Sequence, residues 1–121
     1  MKLIIAGSRN VTSLQTVLDA TKRVQGIINV TEIVSGAARG VDTLGEEVAG
    51  LLGLRIGRFP ARWTLPCGAT DRGAGYKRNA EMADYADCLL AVWDMNSPGT
   101  RHMISCMYTL DKRVFLQKIK L

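Results

Sequence analysis

Apolar positions along this chain follow two spacings that take turns. Short, nearly continuous runs, Leu3-Ile4-Ile5-Ala6, Thr31 to Ser35, Leu54 to Phe59, Asp87 to Trp93 and Val114 to Ile119, read as strands. Between them the apolar residues fall three or four apart. Leu14, Val17, Leu18, Thr21, Val24 and Ile28 make one helical stripe and leave Asp19, Lys22 and Arg23 for solvent. Val41, Leu44, Val48, Leu51 and Leu52 make a second, closed near Gly53. Tyr76 to Ala86 is a third, and Thr100 to Asp111 a fourth, with Met103, Ile104, Met107 and Leu110 inward. Strands alternating with helices in this way predict an α/β fold, a Rossmann-like three-layer sandwich around a mainly parallel five-stranded sheet.

Residues 60–75 break the alternation. They hold two prolines and several glycines and have no sustained period, so they are expected to form a functional loop, a candidate lid over a ligand. Trp63, within that loop, either covers a base or packs the loop down. A lid would bring Arg62 and Arg72 near a ligand's phosphates.

Two of the predicted strands end alike. The first runs into Gly7-Ser8-Arg9 and the second into Ser35-Gly36-Ala37-Ala38-Arg39-Gly40-Val41-Asp42, where a helix begins. Glycine-bracketed turns before a helix offer unpaired N–H groups and the positive end of the helix dipole, and each turn adds a guanidinium. Parallel strands place both turns at one sheet edge, where ligands of open α/β sheets bind. The third helix adds Arg78 and Asn79 to that edge, and the fourth turn adds Ser97, Gly99 and Thr100. Arg9, Arg39 and Arg78 suit phosphate, and Asp42, Asn79 and Thr100 suit a ribose or base. Each also has a local explanation: Asp42 favours a helix dipole, Asn79 and Thr100 cap helices, and a single arginine solvates the surface. Their convergence favours a site. The first strand is not followed by G-x-G-x-x-G, and the next strand does not end in Asp or Glu, which argues against a standard dinucleotide cofactor; none is expected.

Composition narrows the reading further. A chain of 121 residues, 47% hydrophobic and 22% charged, is expected to form one globular domain over 1–121. Its apolar runs are too short for a membrane span, and the four apolar residues after Lys2 are too few for a signal peptide, so a cytoplasmic location is expected. Cys67, Cys88 and Cys106 are widely spaced and odd in number, as expected of reduced thiols, with no metal-ligand spacing around them. The only histidine, His102, has no evident partner. The net charge of +5 admits nucleic acid as a partner, yet Lys112, Arg113, Lys118 and Lys120 read as solvated surface, and aromatics are too few for a stacking platform.

Taken in order, Gly7-Ser8-Arg9, Ser35 to Asp42, Pro60-Ala61-Arg62-Trp63, Arg78-Asn79 with Met82, Trp93-Asp94, and Ser97-Pro98-Gly99-Thr100-Arg101-His102-Met103-Ile104 resemble the SLOG superfamily over nearly the whole chain. The branch most similar is that of the small YspA-like proteins of bacteria and phages; LOG phosphoribohydrolases and the Rossmann domain of DprA are relatives. The resemblance implies a Rossmann-like domain binding a nucleotide or an ADP-ribose-like derivative. Three features depart from the pattern. Arg62 stands where an acidic residue is usual, and Ala37 where a second glycine is frequent. The P-G-G-x-G-T turn of the LOG enzymes survives only as Gly99-Thr100, followed by Arg101 and His102 without a glutamate.

That missing carboxylate ranks the functions. N-glycosidic cleavage builds positive charge on the ribose and calls for an acidic group, for which only Asp42, Asp71, Glu81 and Asp94 could stand in. A sensing or sequestering module for a nucleotide-derived small molecule comes first, a LOG-like hydrolase second, and a DprA-like nucleic-acid binder third. Domains of this kind often pair, so a homo-oligomer stays open.

Overall fold

The computed structural model describes residues 1–120. Five strands and four helices alternate: β1 (Lys2–Gly7), α1 (Leu14–Gln25), β2 (Glu32–Ser35), α2 (Val41–Leu52), β3 (Arg55–Arg58), α3 (Ala74–Tyr85), β4 (Cys88–Trp93), α4 (Pro98–Thr109) and β5 (Arg113–Lys118). All neighbouring strands pair parallel, in the order β3-β2-β1-β4-β5. The expected Rossmann-like α/β fold is the observed one.

The winding explains the layers. From β1 the chain steps outward through β2 to β3, then returns past its start to β4 and β5. Crossovers of one hand that step in opposite directions put their helices on opposite faces. Two cores result, divided by the alternation of side chains along each strand. Leu3, Ile5, Ile33, Leu90 and Val92 pack with Val17, Val24 and Val48 of α1 and α2. Ile4, Ala6, Val34, Leu89 and Ala91 pack with Met82, Met103 and Met107 of α3 and α4. Burial on both faces is why β1 and β4 are apolar without alternation, all six residues of β4 being buried. The edge strands β3 and β5 are partly exposed and more polar.

Helix ends follow local chemistry. The Ser13 side chain accepts the Thr16 N–H at 3.2 Å to start α1. Gly53, at φ 67°, closes α2 in the left-handed region. Helix α4 starts two residues earlier than its apolar period suggests, with Pro98 in the first turn, where its fixed φ and missing N–H cost nothing. Helix α3 likewise begins at Ala74 rather than Tyr76.

The loop from 60 to 73 is more ordered than its composition suggests. Thr64 and Thr70 form an antiparallel bridge, Leu65 N–H reaches Ala69 O at 2.8 Å, and Gly68 turns the chain at φ 88°.

One basic residue read as solvated is a structural cap. Lys112 Nζ donates to the carbonyls of Ala83, Asp84 and Ala86 at 2.7, 3.0 and 2.8 Å, closing the C-terminal end of α3, which has no glycine there. Lys112→Met keeps the aliphatic stem and strips these bonds. It is expected to lower unfolding free energy by about 1–2 kcal/mol in urea titrations, whereas Lys118→Met, on an exposed position, changes it by under about 0.5 kcal/mol.

Candidate functional site

The reversal of winding falls between β1 and β4, and a cleft of about 490 Å³ opens at the carboxyl edge there. Its walls come from the β1 turn (Gly7, Arg9, Asn10), the β2 turn and α2 (Ala38, Arg39, Asp42), α3 (Arg78, Asn79) and the start of α4 (Ser97 to Thr100), over a floor of Met82 and Met103.

The backbone of these turns is set by close approaches. Gly7 pairs with Val92, and a Cβ on it would lie 1.9 Å from the Val92 carbonyl oxygen. Gly40, at φ 77°, sits where a Cβ would come within 2.5 Å of Arg9 Cα. The β1 and β2 turns therefore touch, as the Val41 N–H to Ser8 O bond of 3.4 Å also shows. Ala37 adopts φ 57° despite its Cβ, a conformation glycine would take more easily, and its N–H is held by Ser35 Oγ at 3.0 Å.

Several sequence candidates serve the frame rather than the wall. Ser8 is fully buried; its Oγ accepts the Asp94 N–H at 3.0 Å and lies 3.1 Å from Ser97 Oγ. Asp94 in turn accepts the N–H groups of Asn96 and Ser97, both at 2.9 Å, which hold its carboxyl down at about 2. Ser35 is buried and donates to Glu46, itself paired with Arg58 at 2.6 Å. Gly36 leaves room for Arg78 Nη1 and Asp42 Oδ2, each 2.7 Å from where a Cβ would stand. Trp63 lies off the cleft, half-exposed, its ring edge against Gly75. Arg72 is exposed and does not line the cleft, and Arg62 borders a separate chamber.

The remaining candidates line the cleft. Arg9 and Arg39 are exposed, and neither guanidinium has a protein hydrogen-bond partner among the described residues. Arg78 is committed: it donates to Gly36 O and, through Nε, to Asn79 Oδ1 at 3.1 Å. Asn79 is buried in the second turn of α3 and caps nothing; its Nδ2 donates to Gly99 O at 3.2 Å and to His102 Nδ1 at 3.1 Å. His102 is thus partnered after all, and it also stacks on Tyr76, ring centres 4.2 Å apart. Thr100 is buried in the first turn of α4, whose N-cap is Ser97. Neither α2 nor α4 has a side-chain cap on its first N–H groups, so both offer donors at the cleft.

Among the described residues Asp42 is the only carboxylate on the wall. Burial pushes its carboxyl up to about 6, although the Ala38 N–H and the Arg78 charge favour ionisation; desolvation outweighs both. The other acidic candidates are placed elsewhere: Asp71 and Glu81 border the separate chamber and Asp94 is locked in its turn. Among the described residues no three His, Cys, Asp or Glu side chains gather as metal ligands, and no helix is long and apolar enough to cross a membrane.

The fold has relatives among solved structures. DNA processing protein A from Streptococcus pneumoniae superposes with a TM-score of 0.74 at 20% identity, covering 95% of this chain and 49% of that one. The same protein from Helicobacter pylori, described with its single-stranded DNA binding mode, gives 0.68 at 18%, covering 100% and 66%. A molybdenum cofactor binding protein from Rippkaea orientalis gives 0.70 at 16%, covering 98% and 77%. The likeness is one of fold. This chain spans half to two-thirds of the DNA processing proteins it matches. No family model and no curated protein matches the sequence.

Asn10 escaped the sequence because a lining position carries no motif; Ala38 and Pro98 lie within the quoted motifs but were not singled out, and Met103, read as core, is floor as well, as is Met82.

The Asp42 shift has a measurable consequence. Its folded pKa lies above the unfolded value of 3.8, so the native state keeps a proton that the unfolded chain has lost. Stability from this group is full below about pH 4 and falls as pH rises through about 6, by about 3 kcal/mol. Asp42→Asn is expected to flatten this part of the stability profile and to exceed the native protein in stability at pH 7, as measured by denaturant titration across pH 4–7.

Proposed function

We propose that the chain is a SLOG-like, YspA-like module that binds a nucleotide-derived, ADP-ribose-like small molecule in this cleft, as a cytoplasmic sensor or sequestering protein. One observation carries the reading: two unpartnered arginines and two uncapped helix N-termini surround a single cleft at the switch point of the sheet. A phosphate group meets that demand, taking N–H donors from the Gly99–Thr100 and Asp42 turns and charge from Arg9 and Arg39. Asp42 and Thr100 then stand beside it as partners for ribose hydroxyls, and Met82 and Met103 give an apolar floor for a base. Gly7, Ser8, Ser35, Gly36, Ala37, Gly40 and Ser97 hold the turns in this arrangement.

A second reading, nucleotide N-glycosidic hydrolysis, is favoured by Asp42 alone. A buried carboxyl near 6 at the wall is suited to proton transfer near neutral pH, worth about 10²–10⁴-fold in rate. Release of free base from nucleoside monophosphates, abolished in Asp42→Asn, supports the enzyme; binding without release supports the module. Nucleic acid is the third reading, and a steep fall of DNA affinity with salt is its signature.

Arg39 separates binding from folding because no protein group depends on it. Arg39→Ala is expected to weaken adenosine monophosphate binding by about 1.5–3 kcal/mol in calorimetry while leaving the melting temperature unchanged. Unchanged affinity with a lowered melting temperature assigns Arg39 to the fold instead.

A further inference from the structure

A second chamber of about 420 Å³ lies beside the cleft, between the 60–73 loop and α3. Among the described residues Arg78 alone is on the walls of both. Its Nη1 donates to Gly36 O, and Nη2 lies 3.8 Å from where a Cβ on Gly75 would stand, near Trp63. Nη1 and Nε are used by Gly36 O and Asn79, and Nη2 makes no hydrogen bond to the protein.

The walls of this chamber differ in chemistry from those of the cleft. Pro60, Leu65, Pro66 and Ala74 give an apolar surface, and Thr64 a hydroxyl. Asp71 is paired with Lys77 at 2.7 Å, while Arg62 and Glu81 border the chamber with no hydrogen-bond partner among the described residues. Apart from Arg78 these charges balance, Asp71 with Lys77 and Glu81 with Arg62, so the walls offer acceptors to hydroxyl or amino groups without an excess of positive charge for a second phosphate. The chamber therefore suits an uncharged, partly apolar group with donors, such as a nucleoside, and is as large as one nucleotide site needs.

Building on the proposed phosphate site, we infer that the ligand is two-headed: two nucleoside halves joined through phosphate, one in each chamber, with the linking phosphate beside Arg78. The loop then serves as the wall of the second half-site. A nucleotide ending in a free polyphosphate meets charges that already balance there and gains little from the second chamber.

Calorimetry with adenosine monophosphate, adenosine triphosphate and diadenosine diphosphate tests this. Diadenosine diphosphate is expected to bind at least about tenfold more tightly than the monophosphate, a gain of the size one further seated base brings. Leu65→Glu, at a partly exposed loop position, is expected to remove that gain and leave monophosphate affinity as it was. Glu81→Lys, on the exposed side of α3, is expected to shift preference toward the triphosphate. Equal affinity for the monophosphate and the dinucleotide, or a gain that survives Leu65→Glu, overturns the two-headed ligand while leaving the phosphate site standing. Failure of all three probes to bind overturns both.

Discussion

The approach of β1 to β4 at Gly7 is the constraint on which the cleft depends. These two central strands pair in register up to Gly7 and Val92, and no side chain fits between them. Just beyond, Ser8 crosses to the β4 turn, and its hydroxyl holds the Asp94 backbone and lies against Ser97. The chain winds away from this seam in opposite directions, so the turns after β1, β2 and β4 diverge and leave a hollow. A buried hydroxyl with every partner in place fixes the relative height of the β1 turn and the α4 N-terminus, whose N–H groups meet at the hollow.

Charge in the cleft is divided between committed and uncommitted groups. Arg78 is half-buried and tied to Gly36 O and Asn79, so it sets shape as much as charge. Arg9 and Arg39 are exposed at the cleft, with no hydrogen-bond partner among the described residues. Asp42 begins α2, where a carboxylate is ordinarily favoured by the dipole, yet burial raises its carboxyl to about 6. Desolvation thus exceeds the combined help of two backbone N–H groups and an arginine. The Asn79, His102 and Tyr76 group braces α3 against α4 behind this wall, with Asn79 using both ends of its amide.

Much of this molecule was decided by sequence alone. Leu3 to Ala6 and Cys88 to Trp93 are apolar throughout because both sheet faces are covered, and the helical stripes of α1 and α2 match the single face each buries. That pattern determines an α/β sandwich and, through glycine at two strand ends, turns at one edge. Boundaries were less legible where a helix starts on residues that also make turns, as at Pro98-Gly99 and Ala74-Gly75. Which candidates line a wall and which brace it was decided only by tertiary structure. Ser8 and Arg9 are adjacent in sequence, but one is buried under β4's turn and the other is exposed at the cleft. Lys112 and Lys118 have the same composition and charge, and only the first lies within reach of three orphan carbonyls 26 to 29 residues away along the chain. Local pattern records how each segment buries its own apolar face; the partners of a polar side chain depend on which distant segments the packing brings beside it.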